Sequence, residues 1–370
     1  MPNIVHLGTG NFHRAHQAWY THLAGGDWSI IGSSFRSPSI RDTLRAQDFD
    51  YTLIEQGTTT NYHRVKVIKD VLFVPEQGDE LHAAMIDDDT AIITLTISEK
   101  GYGTDGAVAT LTRALLQRTA PVTVISCDNL TGNGDNLAAL VKQCAGGELP
   151  VHVTFPNCMV DRITPATTDT LRADVFKETD FADQAPVATE TFTEWVIEDN
   201  FAGPRPDWHK AGVQFVSDVA PHELRKLRML NGAHSYLAYA GVLAGYEFVH
   251  QAVGDADLRA GAIGVMEEAA RVLLPELDTD AYRDALIARF ENPNLHHKLR
   301  QIAMDGTQKL PIRLGSTIAA LNGDAPNCQA GIDAWVQFVQ AETTARRRVD
   351  DPKSDAIAAA TSEDVLRALL

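Results

Sequence analysis

The chain has 370 residues, which is enough to bury a large core and to form two domains. Its apolar content of 44% and charged content of 22% are normal for a soluble globular protein, while its net charge of −17 argues against a nucleic-acid partner. It has no apolar run of about 18 residues, and a strand is predicted almost at once, so we expect neither a membrane span nor a signal peptide.

Strand and helix patterns alternate through the first part of the chain. Apolar, β-branched runs predict strands, and longer amphipathic runs between them predict helices. The strands are predicted at 4–7, 28–34, 91–97 and 122–126, and the helices at 12–23, 40–47, 111–116 and 137–144. Segments 51–55 and 64–74 are predicted to be extended, with a hairpin as one arrangement. The alternation predicts a doubly wound parallel sheet.

The pattern changes in the second part of the chain. A strand is predicted at 191–197 and a Gly- and Pro-rich loop at 201–208. From Pro221, helices are predicted at 221–244, 255–274, 281–290 and 330–340, and a peripheral helix is predicted after Arg346. The sequence therefore predicts an α/β Rossmann-type doubly wound sheet domain over 1–220, followed by an all-α C-terminal domain over 221–370.

Four cysteines are spread widely along the chain and form no C-x-x-C pair: Cys127, Cys144, Cys158 and Cys328. This spacing argues against a structural zinc cluster, so no metal is expected. Reduced thiols are expected, as in a cytoplasmic protein. We expect a monomer or a homodimer with a small-molecule substrate, and no nucleic acid or membrane partner.

A glycine-rich turn follows the first predicted strand, in the pattern Gly8-x-Gly10-x-x-His13. Such a turn lets the backbone approach a pyrophosphate at the start of a helix. The third glycine of the usual fingerprint is absent, and a plain strand-to-helix turn is the alternative. The position before a predicted helix favours dinucleotide binding. Gly8, Gly10, Asn11 and Phe12 are therefore candidate cofactor-binding residues.

Three polar residues share one face of the predicted helix from Pro221. On an α-helix, Lys226, Asn231 and His234 point near about 0°, 140° and 80°. A lysine can exchange a hydroxyl proton, an amide can donate to a forming oxyanion, and a histidine can orient a substrate. The alternative is a solvated lysine beside two ordinary polar residues.

Five blocks of sequence, in the same order, resemble the mannitol dehydrogenase family of metal-independent polyol and hexuronate dehydrogenases. The blocks are HLGTGNFHRAHQ at 6–17, SEKGY at 98–102, SCDN at 126–129, FPNCMVDRITP at 155–165, and the lysine segment at 226–234. The resemblance spans roughly residues 4–315. It implies that Lys226 is the catalytic acid/base, that Asn231 holds the developing alkoxide, and that His234 binds a neighbouring hydroxyl.

The resemblance also implies substrate contacts at Asn129, Asp161 and Lys309. The alternatives are a turn or cap role for Asn129, an ion pair of Asp161 with Arg162, and an exposed loop position for Lys309. Glu99 and Lys100, which follow the strand predicted at 91–97, are candidate cofactor-binding residues because ligands bind at the carboxyl ends of parallel strands.

The end of the second predicted strand bears on cofactor choice. An NAD site usually has an acidic residue here for the ribose 2′-hydroxyl, but this chain has Arg36 and Ser37, with no carboxylate until Asp42. Arginine is common here in the family. We expect NAD as the cofactor, with NADP also possible, and count Arg36 among the cofactor-binding residues.

The resemblance predicts an NAD(P)-dependent oxidoreductase that interconverts a secondary alcohol of a polyol or sugar acid with its ketone, as with mannitol and fructose. The alternatives within this class are the mannonate/fructuronate and altronate/tagaturonate pairs. A carboxylate substrate would call for an extra cation, for which Lys309, Arg313 and Arg300 are available. Alternatives from other classes are a non-catalytic nucleotide sensor and a Rossmann methyltransferase, which would not account for the lysine helix.

Overall fold

The computed structural model describes residues 2–98 and 101–370, which form two units, Met1–Ala220 and Pro221–Leu370. The strands of the first unit are β1 (Asn3–Leu7), β2 (Ser29–Ser34), β3 (Tyr51–Gln56), β4 (Thr60–Val65), β5 (Ile68–Phe73), β6 (Thr90–Leu95), β7 (Val122–Ser126), β8 (Val153–Thr154), β9 (Cys158–Asp161), β10 (Val187–Glu190), β11 (Glu194–Glu198) and β12 (Gln214–Val216). Its helices are α1 (Asn11–Ala15), α2 (Gln17–Ala24), α3 (Ser39–Arg45), α4 (Val74–Ile86), α5 (Gly106–Gln117), α6 (Asn133–Ala145) and α7 (Asp169–Thr179), with a 3₁₀ turn at Trp208–Ala211.

The central sheet of the first unit has the strand order β5-β2-β1-β6-β7-β8, and its neighbouring strands are parallel. In order of entry into this sheet, the strands run 3-2-1-4-5-6, which is the order of the Rossmann fold. The predicted doubly wound parallel sheet is therefore confirmed.

Both faces of this sheet are covered. Successive residues of a strand point to opposite faces, and the neighbours Ile4 and Val5 belong to two separate core clusters. Ile92 and Ile93 divide in the same way. This arrangement explains why every residue of β1 and β6 is buried, with no alternation of buried and exposed positions.

Two smaller sheets flank the central one, with the orders β10-β3-β4 and β12-β11-β9. The hairpin consists of β3 and β4, in which Tyr51 pairs with Val65. The segment 64–74, taken from sequence as one extended piece, divides instead into two strands. After Val65 the chain leaves the hairpin, and Ile68 pairs with Ile30 of the central sheet.

The helix predicted at 12–23 is also interrupted. α1 ends at Ala15, and α2 begins at Gln17, with His16 between them at φ −120° and ψ −85°. The ring of His16 lies 3.1 Å from the carbonyl oxygen of Glu194 and 5.4 Å from the ring of Trp195. These buried tertiary contacts compete with a continuous helix.

The second unit is helical, as predicted. Its α-helices are α8 (Ala220–Arg225), α9 (Gly232–Leu243), α10 (Val249–Gly254), α11 (Ala256–Ala270), α12 (Thr279–Phe290), α13 (Leu299–Ile302), α14 (Gly306–Leu310), α15 (Ser316–Ala320), α16 (Pro326–Thr344), α17 (Ser354–Ala359) and α18 (Glu363–Arg367). Short 3₁₀ turns lie at Pro275–Leu277 and Pro293–Leu295, and π-helical turns at Lys226–Asn231 and Pro311–Gly315.

Helix α9 is the centre of this unit and packs against α11, α13 and α16. A Cβ atom at Gly241 would lie 2.8 Å from Leu299 and 3.0 Å from Ala252, so only glycine permits this close approach. The part of the predicted helix 221–244 that forms α9 is therefore buried among the neighbouring helices. The segment 221–244 is not one regular α-helix, because the first π turn separates α8 from α9.

Candidate active site

The glycine turn is held tightly against the end of β6. Gly8 has a φ of +103°, and a Cβ atom there would lie 2.2 Å from the carbonyl oxygen of Thr96. The hydroxyl of Thr96 donates to the carbonyl oxygen of Gly8 at 2.7 Å, and a ring nitrogen of His6 lies 2.9 Å from that hydroxyl. Glycine is therefore required at residue 8 for both its backbone angle and its close approach.

His13 occupies the place of the third glycine in the usual fingerprint. Its ring stacks on His6 with centroids 3.4 Å apart, so it packs helix α1 against strand β1. Burial lowers the pKa of His6 to about 3. Burial, followed by the nearby His6 and Arg14, lowers the pKa of His13 well below its ordinary value. Both rings are therefore neutral near pH 7.

A cavity of about 780 Å³ opens beside this turn. It lies at the carboxyl ends of β1, β2 and β6, the edge where open α/β sheets bind ligands. The residues that contribute polar groups to its lining include Thr9, Asn11, Arg14, Ser34, Arg36, Ser37, Ser39, Thr43, Ser98, Asp105, Thr167, Arg172 and Gln184. Gly8 and Gly10 also line it, whereas the ring of Phe12 stacks on His16.

Asn11, a predicted cofactor-binding residue, is linked to Arg14 in the lining of this cavity. Arg14 donates to the side-chain oxygen of Asn11 at 2.7 Å and also to the carbonyl oxygen of Ala185. The amide of Asn11 donates to the carbonyl oxygen of Pro165 at 3.2 Å. Burial lowers the pKa of Arg14 to about 10, so its guanidinium stays charged at neutral pH. The wall beside the glycine turn is therefore positively charged.

The end of β2 contributes a cation but no carboxylate to the described lining of the cavity. Arg36 is exposed and forms no ion pair among the residues that the structure describes. The Ser37 hydroxyl accepts from the backbone N–H of Ser39 at 3.1 Å. Asp42, the next carboxylate along the chain, is paired with Arg41 at 2.7 Å.

Sequence reasoning missed the role of Asp128. Its carboxylate accepts from the backbone N–H groups of Ile97 at 3.0 Å and Ser98 at 2.8 Å, and from the Tyr102 hydroxyl at 3.1 Å. Asp128 thus ties the end of β7 to the segment after β6, where Ser98 has a φ of +62°. An acidic residue directly after a buried strand was the available signal. The predicted Glu99 and Lys100 lie outside the described residues.

The predicted substrate residues of the first unit differ in exposure. Asn129 is exposed in the loop after β7. Asp161 is 7% exposed and ends strand β9, opposite Glu194 of β11. The cation of Arg162 is bound by Glu55, with 2.6 Å between nitrogen and oxygen, and donates to the carbonyl oxygen of Ala15.

In the second unit, Lys226 and Asn231 begin and end the first π turn. A π-helix is closed by hydrogen bonds between residues i and i+5, so its wider turn brings Asn231 nearer to the side of Lys226 than an α-helix would. Lys226 is buried, with 8% of its surface exposed, and Asn231 is half-buried. The expected offset of about 140° between them assumed α-helical geometry, whereas this segment is π-helical. Single π turns are frequent at functional sites.

His234 lies on α9 in the first turn after this segment. Its ring centroid lies 4.5 Å from that of Phe290 and 5.2 Å from that of His297. Burial, and then the nearby His297, Arg289 and Arg313, lowers its pKa well below the ordinary value. His234 is therefore neutral at pH 7 and able to donate or accept one hydrogen bond at each nitrogen.

The three basic residues named from the sequence as candidates for binding a substrate carboxylate have different surroundings. Lys309 on α14 donates to the carbonyl oxygen of Met304 at 2.8 Å and lies 3.3 Å from the Asp305 carboxylate. Arg300 is bound by Glu342 at 3.1 Å. Arg313 on the second π turn donates to the Ser235 hydroxyl at 3.2 Å.

No group of three or more potential metal ligands occurs in residues 2–98 and 101–370. Over the same residues, no helix combines the length and the apolar character needed to cross a membrane.

The sheet order, the glycine turn and the cavity at the strand ends define a protein of the Rossmann class. Residues 2–210 match the mannitol dehydrogenase Rossmann domain, and residues 218–369 match the mannitol dehydrogenase C-terminal domain. The chain belongs to the mannitol dehydrogenase family, a family of oxidoreductases, as the sequence resemblance predicted.

Relatives and solved structures agree with this assignment. The chain is 38% identical to D-mannonate oxidoreductase of Escherichia coli, over 91% of this chain and 80% of the relative. It is 35% identical to mannitol 2-dehydrogenase of Phaeosphaeria nodorum, over 97% and 73%. It resembles the ternary complex of Pseudomonas fluorescens mannitol 2-dehydrogenase with NAD and D-mannitol, with a TM-score of 0.80, 32% identity, and coverage of 99% of this chain and 85% of that one.

Proposed function

We propose that this protein is a nicotinamide-dependent dehydrogenase that interconverts a secondary alcohol of a polyol or sugar acid with the corresponding ketone. The observation that carries the proposal is the π turn, which begins at Lys226 and ends at Asn231 and is followed by His234 in the first turn of α9. The family supports this function, because its members include a D-mannonate oxidoreductase and several mannitol 2-dehydrogenases.

NAD is the proposed cofactor, and the described residues fit it. The tight turn at Gly8 leaves the backbone of Gly10 open toward the cavity, and Arg14 supplies positive charge for a pyrophosphate. A nicotinamide bound there would accept or donate the hydride. The absence of a carboxylate from the described lining at the end of β2 leaves NADP possible as a second cofactor. Glu99 and Lys100 stay predicted cofactor contacts.

Lys226 is proposed to take the hydroxyl proton of the alcohol and to return it in the reverse reaction. A lysine in this position acts as a general acid and base in turn. The Asn231 amide donates to the oxygen on which negative charge develops, which stabilises the transition state more than the ground state. Lysine and amide together perform the polarisation that a metal ion performs in other dehydrogenases, so no metal is required.

Neutral His234 is proposed to bind the hydroxyl beside the reacting carbon. Its low pKa keeps it uncharged, so it orients the substrate without repelling protonated Lys226. Asn129, Asp161 and Lys309 are further proposed substrate contacts. We also propose that residues 1–220 bind the cofactor, that residues 221–370 carry the catalytic lysine, and that the protein is a cytoplasmic monomer or homodimer.

The test is a panel of polyols, aldonates, keto-sugars and keto-sugar acids, assayed through the absorbance of NADH and NADPH. At least one pair of compounds should be interconverted, and prolonged EDTA treatment should leave the rate unchanged. Binding of NADH without turnover of any compound would contradict the proposal and favour the nucleotide sensor. Loss of activity to EDTA with recovery on adding zinc would contradict the metal-free mechanism.

A further inference from the structure

The three cations available for a charged substrate group differ in whether a carboxylate already binds them. Arg300 forms two contacts of 3.1 Å with Glu342, and Lys309 lies 3.3 Å from Asp305. Arg313 forms no ion pair in the described part of the chain, and its Nε atom is buried without a hydrogen-bond partner. A buried cationic donor without a partner is costly, so its retention calls for an explanation.

The backbone places Arg313 beside the lysine segment. The second π turn, which carries Arg313, packs against the first. A Cβ atom at Gly232 would lie 3.3 Å from the carbonyl oxygen of Arg313, so glycine allows this approach. Arg313 also donates through Nη1 to the hydroxyl of Ser235, the residue that follows His234. Its guanidinium therefore lies next to the proposed catalytic residues.

The bond to Ser235 leaves one edge of the guanidinium unused. Nη1 is engaged, whereas Nε and Nη2 make no hydrogen bond among residues 2–98 and 101–370. These two N–H groups form a planar fork that matches the two oxygens of a carboxylate. Arg313 is half-buried, so the fork is partly withdrawn from water without being sealed off.

A buried histidine and one carboxylate lie near Arg313. Arg313 lies close enough to His234 to contribute to the low pKa of that ring, which is neutral at pH 7. The carboxylate that acts on Arg313 is Asp305, which is paired with Lys309. Because Asp305 is already bound by Lys309, a substrate carboxylate would be the group that pairs directly with Arg313, whereas a neutral polyol would leave the charge of Arg313 unpaired.

We propose that the Nε and Nη2 groups of Arg313 bind a carboxylate of the substrate, which makes that substrate a sugar acid rather than a neutral polyol. This inference rests on the proposed dehydrogenase function and assigns a specificity-determining residue to it. A purely structural role is the competing explanation. Ser235, which accepts from Arg313, donates to the backbone carbonyl of Asn231 at 3.0 Å, so Arg313 could instead support the first π turn.

The experiment compares a keto-sugar acid with the neutral keto-sugar that carries CH₂OH in place of its carboxylate. In Arg313→Gln, kcat/KM for the acid should fall by about 10- to 100-fold, mainly through KM, because charge-assisted hydrogen bonds are lost. For the neutral sugar it should change by less than about threefold. Arg313→Lys should recover only part of the loss, since an ammonium lacks the fork. Arg300→Gln is the matched control and should leave the ratio of the two substrates unchanged.

Equal losses for both substrates in Arg313→Gln would overturn the inference while leaving the dehydrogenase function intact. A wild-type enzyme that prefers the neutral sugar would overturn it too, without depending on whether a variant folds. By contrast, a wild-type enzyme that turns over neither compound nor any other member of the panel, with either cofactor, would overturn the proposed function itself.

Discussion

Lys226 and Asn231 are the first and last residues of one π-helical turn. The wider π turn brings residues five apart closer to the same side of the helix than the offset of about 140° in an α-helix. The π geometry therefore has a direct consequence for the proposed chemistry, because it lets an acid/base and an oxyanion donor approach one substrate oxygen.

Asn231→Ala should lower kcat by about 10²- to 10³-fold, the usual cost of removing one oxyanion donor, with a smaller effect on KM. Steady-state kinetics on the best substrate would measure both constants. Arg228→Lys is the control, because Arg228 belongs to the same turn but lies near Cys328 of α16. A loss in Arg228→Lys equal to that in Asn231→Ala would point to a disturbed helix instead of a lost donor.

Cofactor choice should respond to a carboxylate at the end of β2. We predict NAD as the working cofactor with weak discrimination against NADP, because Arg36 can pair with a 2′-phosphate. Ser37→Asp should raise the preference for NAD by at least about tenfold, through repulsion of that phosphate and a bond to the ribose. The measurement is kcat/KM for both cofactors.

Ser37→Ala controls for loss of the hydroxyl, which accepts only from the backbone of Ser39 in the described structure. If the parent enzyme already excludes NADP by several orders of magnitude, another residue must read the ribose, and the assignment of Ser37 would be wrong.

The buried His6 and His13 should make folding stability sensitive to acid. Their pKa values are lower in the folded protein than the ordinary value of about 6.5, so the unfolded chain binds more protons below that pH. The contribution of these neutral rings to the free energy of unfolding is fully present above about pH 6.5. It is lost as the pH falls toward the folded-state pKa of His6, about 3. Between pH 6.5 and 5, His6 should remove about 2 kcal/mol from the free energy of unfolding, and His13 should act in the same direction.

Urea unfolding at several pH values would measure this slope. His6→Asn should be less stable at pH 7, since it loses the buried stack on His13, yet its stability should depend less steeply on pH, by about 1.4 kcal/mol per pH unit. The same substitution at the exposed His209 should leave the slope unchanged. An unaltered slope in His6→Asn would assign the acid sensitivity to other groups.

The sequence predicted the fold class because its strongest signals are local. The buried parallel strand Thr90–Leu95 falls largely within the apolar segment predicted as a strand at 91–97, and the helical pattern that begins near Pro221 is likewise visible in the local sequence. The failures came from tertiary contacts. The break at His16 depends on Glu194 and Trp195, which are nearly 180 residues away, and periodicity within one segment carries no trace of them.

The candidate site shows the same division. The spacing of residues revealed the glycine turn and the lysine segment. It did not reveal the π turn, because a sequence separation of five residues is the same in an α-helix and in a π-helix. The sequence also does not reveal which of the basic side chains is already paired with a carboxylate. Only the structure distinguishes Arg300, bound by Glu342, from Arg313, whose Nε has no partner among the described residues.

The most direct test of the account is the rate of the chemical step in Lys226→Ala. With a substrate found in the panel, kcat should fall by at least about 10²-fold, since general acid–base assistance is typically worth about 10² to 10⁴. The dissociation constant of NADH, measured by fluorescence, should stay nearly the same because the cavity at the glycine turn is untouched. The pH dependence of kcat assigned to the lysine should also disappear. Near-normal turnover in this variant, with its wild-type pH dependence, would contradict the mechanism proposed for this protein.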